Sequence, residues 1–268
     1  MSAPTLAPAI DVSDTAPTPF GRLLRTEMRK AYDTRSGLWL LISIAALTAF
    51  VMIIQLAVGV SQDLVLTFHD FMTSTTFSIG FLLPVLGILL VTSEWSQRTA
   101  MVTFSLEPRR GLVILAKAAV GVIYAALSVA IALALASVCT LLFEVLSDAP
   151  TEWDFTVKQT LFFLLLQVVG MLTGFAFAAL LLSSPAAIVV FFAYSFLVPT
   201  IFAIATELIG WFRDIQPWID FGDAQIPLFE GGGSVSGQEW AHLAVSGLIW
   251  LVLPLAVGVW RVLRTEVK

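Results

Sequence analysis

The chain has 268 residues, 58% of them hydrophobic and only 12% charged, with a net charge of −5 and a mean hydropathy of +0.93. Soluble domains carry roughly 25% charged residues, so a soluble globule could not cover its surface with this complement; the chain reads as an integral membrane protein. Two histidines and a single cysteine, Cys139, exclude a disulfide framework and argue against a dense metal cluster.

Residues 1–19, MSAPTLAPAIDVSDTAPTP, have neither the basic start nor the apolar core of a signal peptide. They read as a disordered cytoplasmic tail. Residues 20–37, FGRLLRTEMRKAYDTRSG, follow as an amphipathic helix. At about 100° per residue, Phe20, Leu23, Leu24, Met28 and Ala31 share one face and Arg22, Arg25 and Arg29 the other. Such a helix lies along an inner leaflet with its arginines toward anionic lipid headgroups. Glu27 falls within the apolar face, where a carboxylate is costly unless paired. Arg98 and Lys117 are the partners considered for it.

A spanning helix needs about 20 mostly apolar residues. Six segments qualify: 38–60, 71–93, 112–143, 157–182, 186–209 and 240–263. The fourth and fifth are parted only by SSPA, where proline favours a tight break. The third would extend about 48 Å as one helix, so its basic end is expected to project beyond the hydrocarbon. Residues 210–239, with IGWFRDIQPWIDFGDAQIPLF, mix aromatics with acids as a segment lying in or dipping into the outer interface would.

The basic residues set the orientation. Arg22, Arg25, Arg29, Lys30 and Arg35 precede the first span. Arg98, Arg109, Arg110 and Lys117 lie between the second and third, and Arg261, Arg264 and Lys268 close the chain. The remaining connections hold only Lys158 and Arg213 among many acids. By the positive-inside rule both termini are cytoplasmic. So is the stretch TSEWSQRTAMVTFSLEPRRG, residues 92–111, which interrupts two apolar runs.

This stretch is expected to form a hairpin. Glu94 ends the second span, where it either caps or pairs with Arg98 at i+4, and Trp95 is an interface residue. SQRTAMVTFSL forms a short helix offering Met101, Val102, Phe104 and Leu106 as apolar contacts, Pro108 stops it, and Arg109-Arg110-Gly111 begins the next helix. A short apolar helix at this position needs a membrane surface or a protein partner to cover it.

No G-x-x-x-x-G-K-[ST] phosphate loop occurs, and the glycine-rich EGGGSVSGQEW has no lysine. Neither His69 nor His242 belongs to an H-E-x-x-H zinc pair, and no nucleophile–base constellation is evident. The polar residues within spans are the better pointers. Gln55, Ser74, Thr75, Gln167 and Tyr194 are candidates for a cavity wall or translocation path. Gly170, Gly174 and Ala178 form a small-residue stripe for close helix packing, within the chain or toward a partner. Pro84, Pro199 and Pro254 fall inside spans and can kink them.

The order RTEMRK…TRSGLWLL, then SEWSQRT…FSLEPRRG…AK, resembles the permeases of ABC-2 type transporters, membrane subunits of one class of ATP-driven exporter. The resemblance covers residues 20–268 and lies in the order and topology of these loose motifs. It implies an all-α integral membrane fold of six spans in a bacterial plasma membrane. An amphipathic interfacial helix (20–37) precedes the permease domain (38–268), which carries a cytoplasmic coupling hairpin. It implies that Glu27, Arg29, Glu94, Trp95, Arg98, Phe104, Arg109 and Arg110 dock or couple to a separate ATPase, present in two copies. It also implies a second permease subunit, identical or not, membrane lipid around the pair, no nucleic acid, and no catalytic residue in this chain. ATP and Mg²⁺ would be held by the ATPase, and the cargo would be a hydrophobic or amphipathic molecule such as a drug, antibiotic or peptide. Two rival expectations are an embedded enzyme acting on lipid or peptide, and a non-catalytic anchor or assembly protein.

Overall fold

The computed structural model describes residues 17–147, 152–230 and 234–265. Within them no strand occurs, and six helices are long and apolar enough to cross a membrane. This is a multi-pass, all-α membrane fold. Residues 1–16 of the expected tail lie outside the described residues, and 17–19 are non-helical.

Helix α1 (Phe20–Asp33) stops four residues earlier than its pattern suggested. Thr34 is extended, and its hydroxyl accepts the Gly37 amide (3.2 Å) to start α2 (Arg35–Ser61). The chain turns tightly here, because any side chain at Gly37 would collide with the Ala31 carbonyl. Leu23 and Glu27 of α1 are buried while Arg22, Arg25 and Arg29 are exposed, so its buried face is the one the periodicity marked. Arg29 pairs with Asp33 at the surface (3.3 Å).

The hub is α3 (Phe68–Ser96), which packs on α2, α5, α6 and α7. It begins three residues before the expected span, because Thr67 and Asp70 form a capping box. Its closest neighbour is α6 (Val157–Leu181). Gly87 abuts the Met171 carbonyl and Gly174 abuts the Pro84 carbonyl, so a methyl group at either position would force the helices apart. Ala178 is fully buried on the same helix. The small-residue stripe of α6 is therefore an internal packing face.

After α3 come the short α4 (Ala100–Leu106) and then α5 (Arg110–Ser147). With 38 residues α5 reaches about 57 Å, nearly twice a hydrocarbon core of roughly 30 Å. Leu182, with φ 54°, ends α6, and Pro185 lies in the first turn of α7 (Ser184–Leu208), as SSPA indicated. Helices α2 and α7 are among the least buried spans.

Beyond α7 the chain forms α8 (Phe212–Ile219), a 3-10 turn at Asp223–Gln225, and α9 (Ile226–Glu230). The last span joins α10 (Gly237–Gly247) to α11 (Leu253–Arg264) through a π turn at Leu248–Val252, just before Pro254. The wider turn suits a proline that cannot donate to the carbonyl four residues back. Trp250 Nε1 donates to the Ile219 carbonyl (2.7 Å). Trp250 lies about 20 Å along its span, so the α8–α9 segment does not rest on the surface but dips deep into the bundle. Six crossings put α1 and the end of α11 on one side, here termed the hairpin end; α8 and α9 enter from the loop end.

Candidate functional site

Four charged side chains close a ring at the hairpin end. Glu27 Oε1 accepts Lys30 Nζ and Glu27 Oε2 accepts Lys117 Nζ, each at 2.7 Å. Glu94 Oε1 accepts Lys30 Nζ at 2.7 Å and lies 3.3 Å from Lys117 Nζ. Each carboxylate thus faces two ammonium groups and each ammonium two carboxylates, with no net charge. Glu27, Glu94 and Lys117 are 1%, 5% and 5% exposed, while Lys30 reaches solvent.

The ring ties separate elements together. Glu27 and Lys30 come from one face of α1, Glu94 from the last turns of α3, and Lys117 from the third turn of α5. Helix α4 joins through Thr103, whose hydroxyl donates to Glu94 Oε1 (3.0 Å). Burying an ion costs several kcal/mol even after relaxation, and the alternating arrangement offsets that cost only while the buried charges balance. Partial burial opposes the charge on Lys30, but its hydrogen bonds to Glu27 and Glu94 prevail and hold its pKa above the ordinary lysine value.

The partner that Glu27 required is Lys117 and not Arg98. Arg98 is exposed, has φ 58° at the turn after α3, and makes no ion pair among the described residues. Glu94 accordingly neither pairs with Arg98 nor merely caps a helix. Lys30 and Thr103 were not anticipated as partners. Lys30 stands at i+3 from Glu27, the spacing of helix-surface pairs, and that signal was available.

Of the other hairpin candidates, Trp95, Phe104 and Arg110 are half-buried and Arg109 is exposed. Trp95 packs against Phe104 (ring centroids 6.3 Å), and the Arg110 guanidinium lies over the Phe104 ring (4.9 Å). Arg110 also donates to the carbonyls of Val262 (3.3 Å) and Thr265 (2.8 Å), so it caps the end of α11. Arg109 forms a forked pair with Glu107 (2.7 and 2.9 Å) and reaches the Thr18 carbonyl. That hydrogen bonding keeps the Glu107 carboxyl below its usual range. Both arginines are thus engaged within the chain. The outward surface of α4 is apolar: Met101, Val102 and Leu106 are 53%, 60% and 79% exposed. The ring lines a cavity of about 520 Å³ between α1, α2, α3 and α4, bordered also by Arg22, Leu40, Leu90 and Leu106.

A second cavity, of about 350 Å³, lies between α3, α6, α7 and the dipping segment. Of the five polar candidates, Gln167 and Tyr194 line it. The other three do not. Ser74 and Thr75 bond the carbonyls of Phe71 and Met72 in their own helix, and Gln55 of α2 buries its side-chain oxygen without a partner among the described residues. Gly170 contributes to the wall as well as to the packing stripe. Asp220, at the turn after α8, also lines it and was not expected there.

Compared with known protein families and with curated proteins, the chain matches none. The fold and site define a helical, multi-pass membrane protein with an ion-paired junction at one end and an internal cavity toward the other.

Proposed function

We propose that this chain is the membrane-spanning permease half of an ATP-driven exporter of the ABC-2 type. The observation that carries the reading is the charge ring. It joins a short helix with an exposed apolar surface to both long helices that flank it and to α1. In this reading α1 is the interfacial helix, α4 is the coupling helix, and the basic hairpin end faces the cytoplasm. A displacement of α4 passes to α3 through Thr103 and Glu94, to α5 through Lys117, and to α1 through Lys30.

Two copies of a separate ATPase cover Met101, Val102 and Leu106 and bind the nucleotide and Mg²⁺, since this chain has no phosphate loop. Nucleotide bound to that partner supplies the free energy by favouring one arrangement of the two over the other. A second permease covers the sparsely buried α2 and α7, and the cargo is hydrophobic or amphipathic.

The test is to purify the tagged protein in mild detergent and identify what accompanies it. A stoichiometric ATPase is expected with the parent and not with Met101→Glu/Leu106→Glu, whose exposed positions leave the bundle intact. Charge reversal at Arg109 or Arg110 would be a poor choice, because it also breaks contacts inside the chain. Absence of an ATPase from folded parent protein would overturn the reading and favour a non-catalytic anchor.

A further inference from the structure

The cavity beneath the dipping segment has a one-sided chemistry. Among the described residues its wall carries two carboxylates, Asp220 and Glu230, and no lysine or arginine. Asp220 is 4% exposed, and its oxygens accept the amides of Gly222 (3.0 Å) and Asp223 (3.1 Å) and the Gln216 side chain (3.2 Å). All three donors are neutral, and among the described residues no cation lies within ion-pair distance of Asp220. The Asp220 carboxyl thus has neutral hydrogen-bond partners but no counter-charge among the described residues.

The backbone adds acceptors. Pro84 and Pro199 cannot donate to the carbonyls of Gly80 and Ser195, four residues earlier, and both of those residues line the cavity. Gln167 is 4% exposed, lines the same space, and makes no hydrogen bond within the described residues. Five aromatic side chains, Phe81, Phe191, Tyr194, Phe221 and Phe229, also line it. Aromatic rings together with a carboxylate attract organic cations, and a volume of about 350 Å³ falls in the range of pockets for drug-sized ligands.

We infer that this cavity is a binding site for a hydrophobic organic monocation, with Asp220 as counter-charge and Gln167 and the freed carbonyls as orienting groups. The site lies within one chain and needs no second subunit. It therefore stands or falls independently of the ATPase reading.

The test uses a pair of probes alike in shape and opposite in charge, tetraphenylphosphonium and tetraphenylborate, with the purified full chain in detergent and empty micelles as background. Equilibrium dialysis should give saturable binding of tetraphenylphosphonium and none of tetraphenylborate. Asp220→Asn keeps an oxygen for the two amides and should weaken the cation by about ten-fold or more, as expected when one member of a buried charge pair is lost. Thr76→Trp, at an exposed position on the cavity wall, should block the cation without disturbing the core. Equal binding of both probes overturns the inference. So does tetraphenylphosphonium affinity that survives both substitutions in folded protein. If Asp220→Asn fails to fold, the probe comparison and Thr76→Trp still decide.

Discussion

Replacing Lys117 by methionine isolates the value of the charge ring. The substitution nearly conserves length and removes only the ammonium that faces Glu27 at 2.7 Å and Glu94 at 3.3 Å. Lys30 would then be the one cation shared by two buried carboxylates, leaving an uncompensated charge at a site where Glu27 and Glu94 are 1% and 5% exposed. Breaking a buried pair from one side costs about 3–5 kcal/mol. At about 2–4 °C per kcal/mol for chains near this size, the unfolding midpoint should fall by about 6–20 °C. Cys139 is the only cysteine and is buried, so its reaction with a thiol-reactive dye on heating reports unfolding without further engineering. Glu27→Leu/Lys117→Met should recover most of the loss, because it removes both members and leaves Lys30 with Glu94. A double variant as unstable as the single one, or a Lys117→Met midpoint unchanged from the parent, would refute the ring as a coupled unit.

Two further outcomes follow from the same geometry. Gly174→Ala should destabilise the fold by about 1–3 kcal/mol, because its methyl would strike the Pro84 carbonyl. Gly170→Ala, whose nearest neighbour is Pro84 Cγ at 3.7 Å, should be tolerated; equal effects in the dye assay would contradict this packing. The pKa of Lys30 is raised in the folded state, so its contribution is complete below the ordinary lysine value of about 10.4 and is lost as pH rises through the higher folded value. The difference in midpoint between parent and Lys30→Gln should therefore be constant from about pH 6 to 9 and shrink only in stronger alkali; a difference that vanished near neutrality would contradict the assignment.

The spans and breaks were legible because they depend on local composition. Runs of about 20 apolar residues and the proline in SSPA act within a few positions of themselves; the caps Thr34 and Thr67 are as local, but the expected bounds of the first helix and the second span did not reflect them. The requirement that Glu27 be paired was also legible, since it stood alone on an apolar face. Which faces of the spans turn inward was not. Helices apolar all round carry no stripe to mark a core, so Ser74, Thr75 and Gln55 looked as suitable for a cavity as Gln167 and Tyr194 did.

By itself, the sequence determined that this chain is a helical membrane protein, where its spans lie, and that a carboxylate in α1 needs a distant cation. Only the tertiary structure decided that Lys117 is that cation, that Lys30 and Glu94 close the ring, and that Arg109 and Arg110 are engaged within the chain. It also decided that Asp220 descends beside Gln167 and Tyr194. The division has a physical cause. Hydrophobic burial and helix hydrogen bonding are properties of a segment and its solvent, whereas an ion pair between residues 27 and 117 depends on how rigid helices cross.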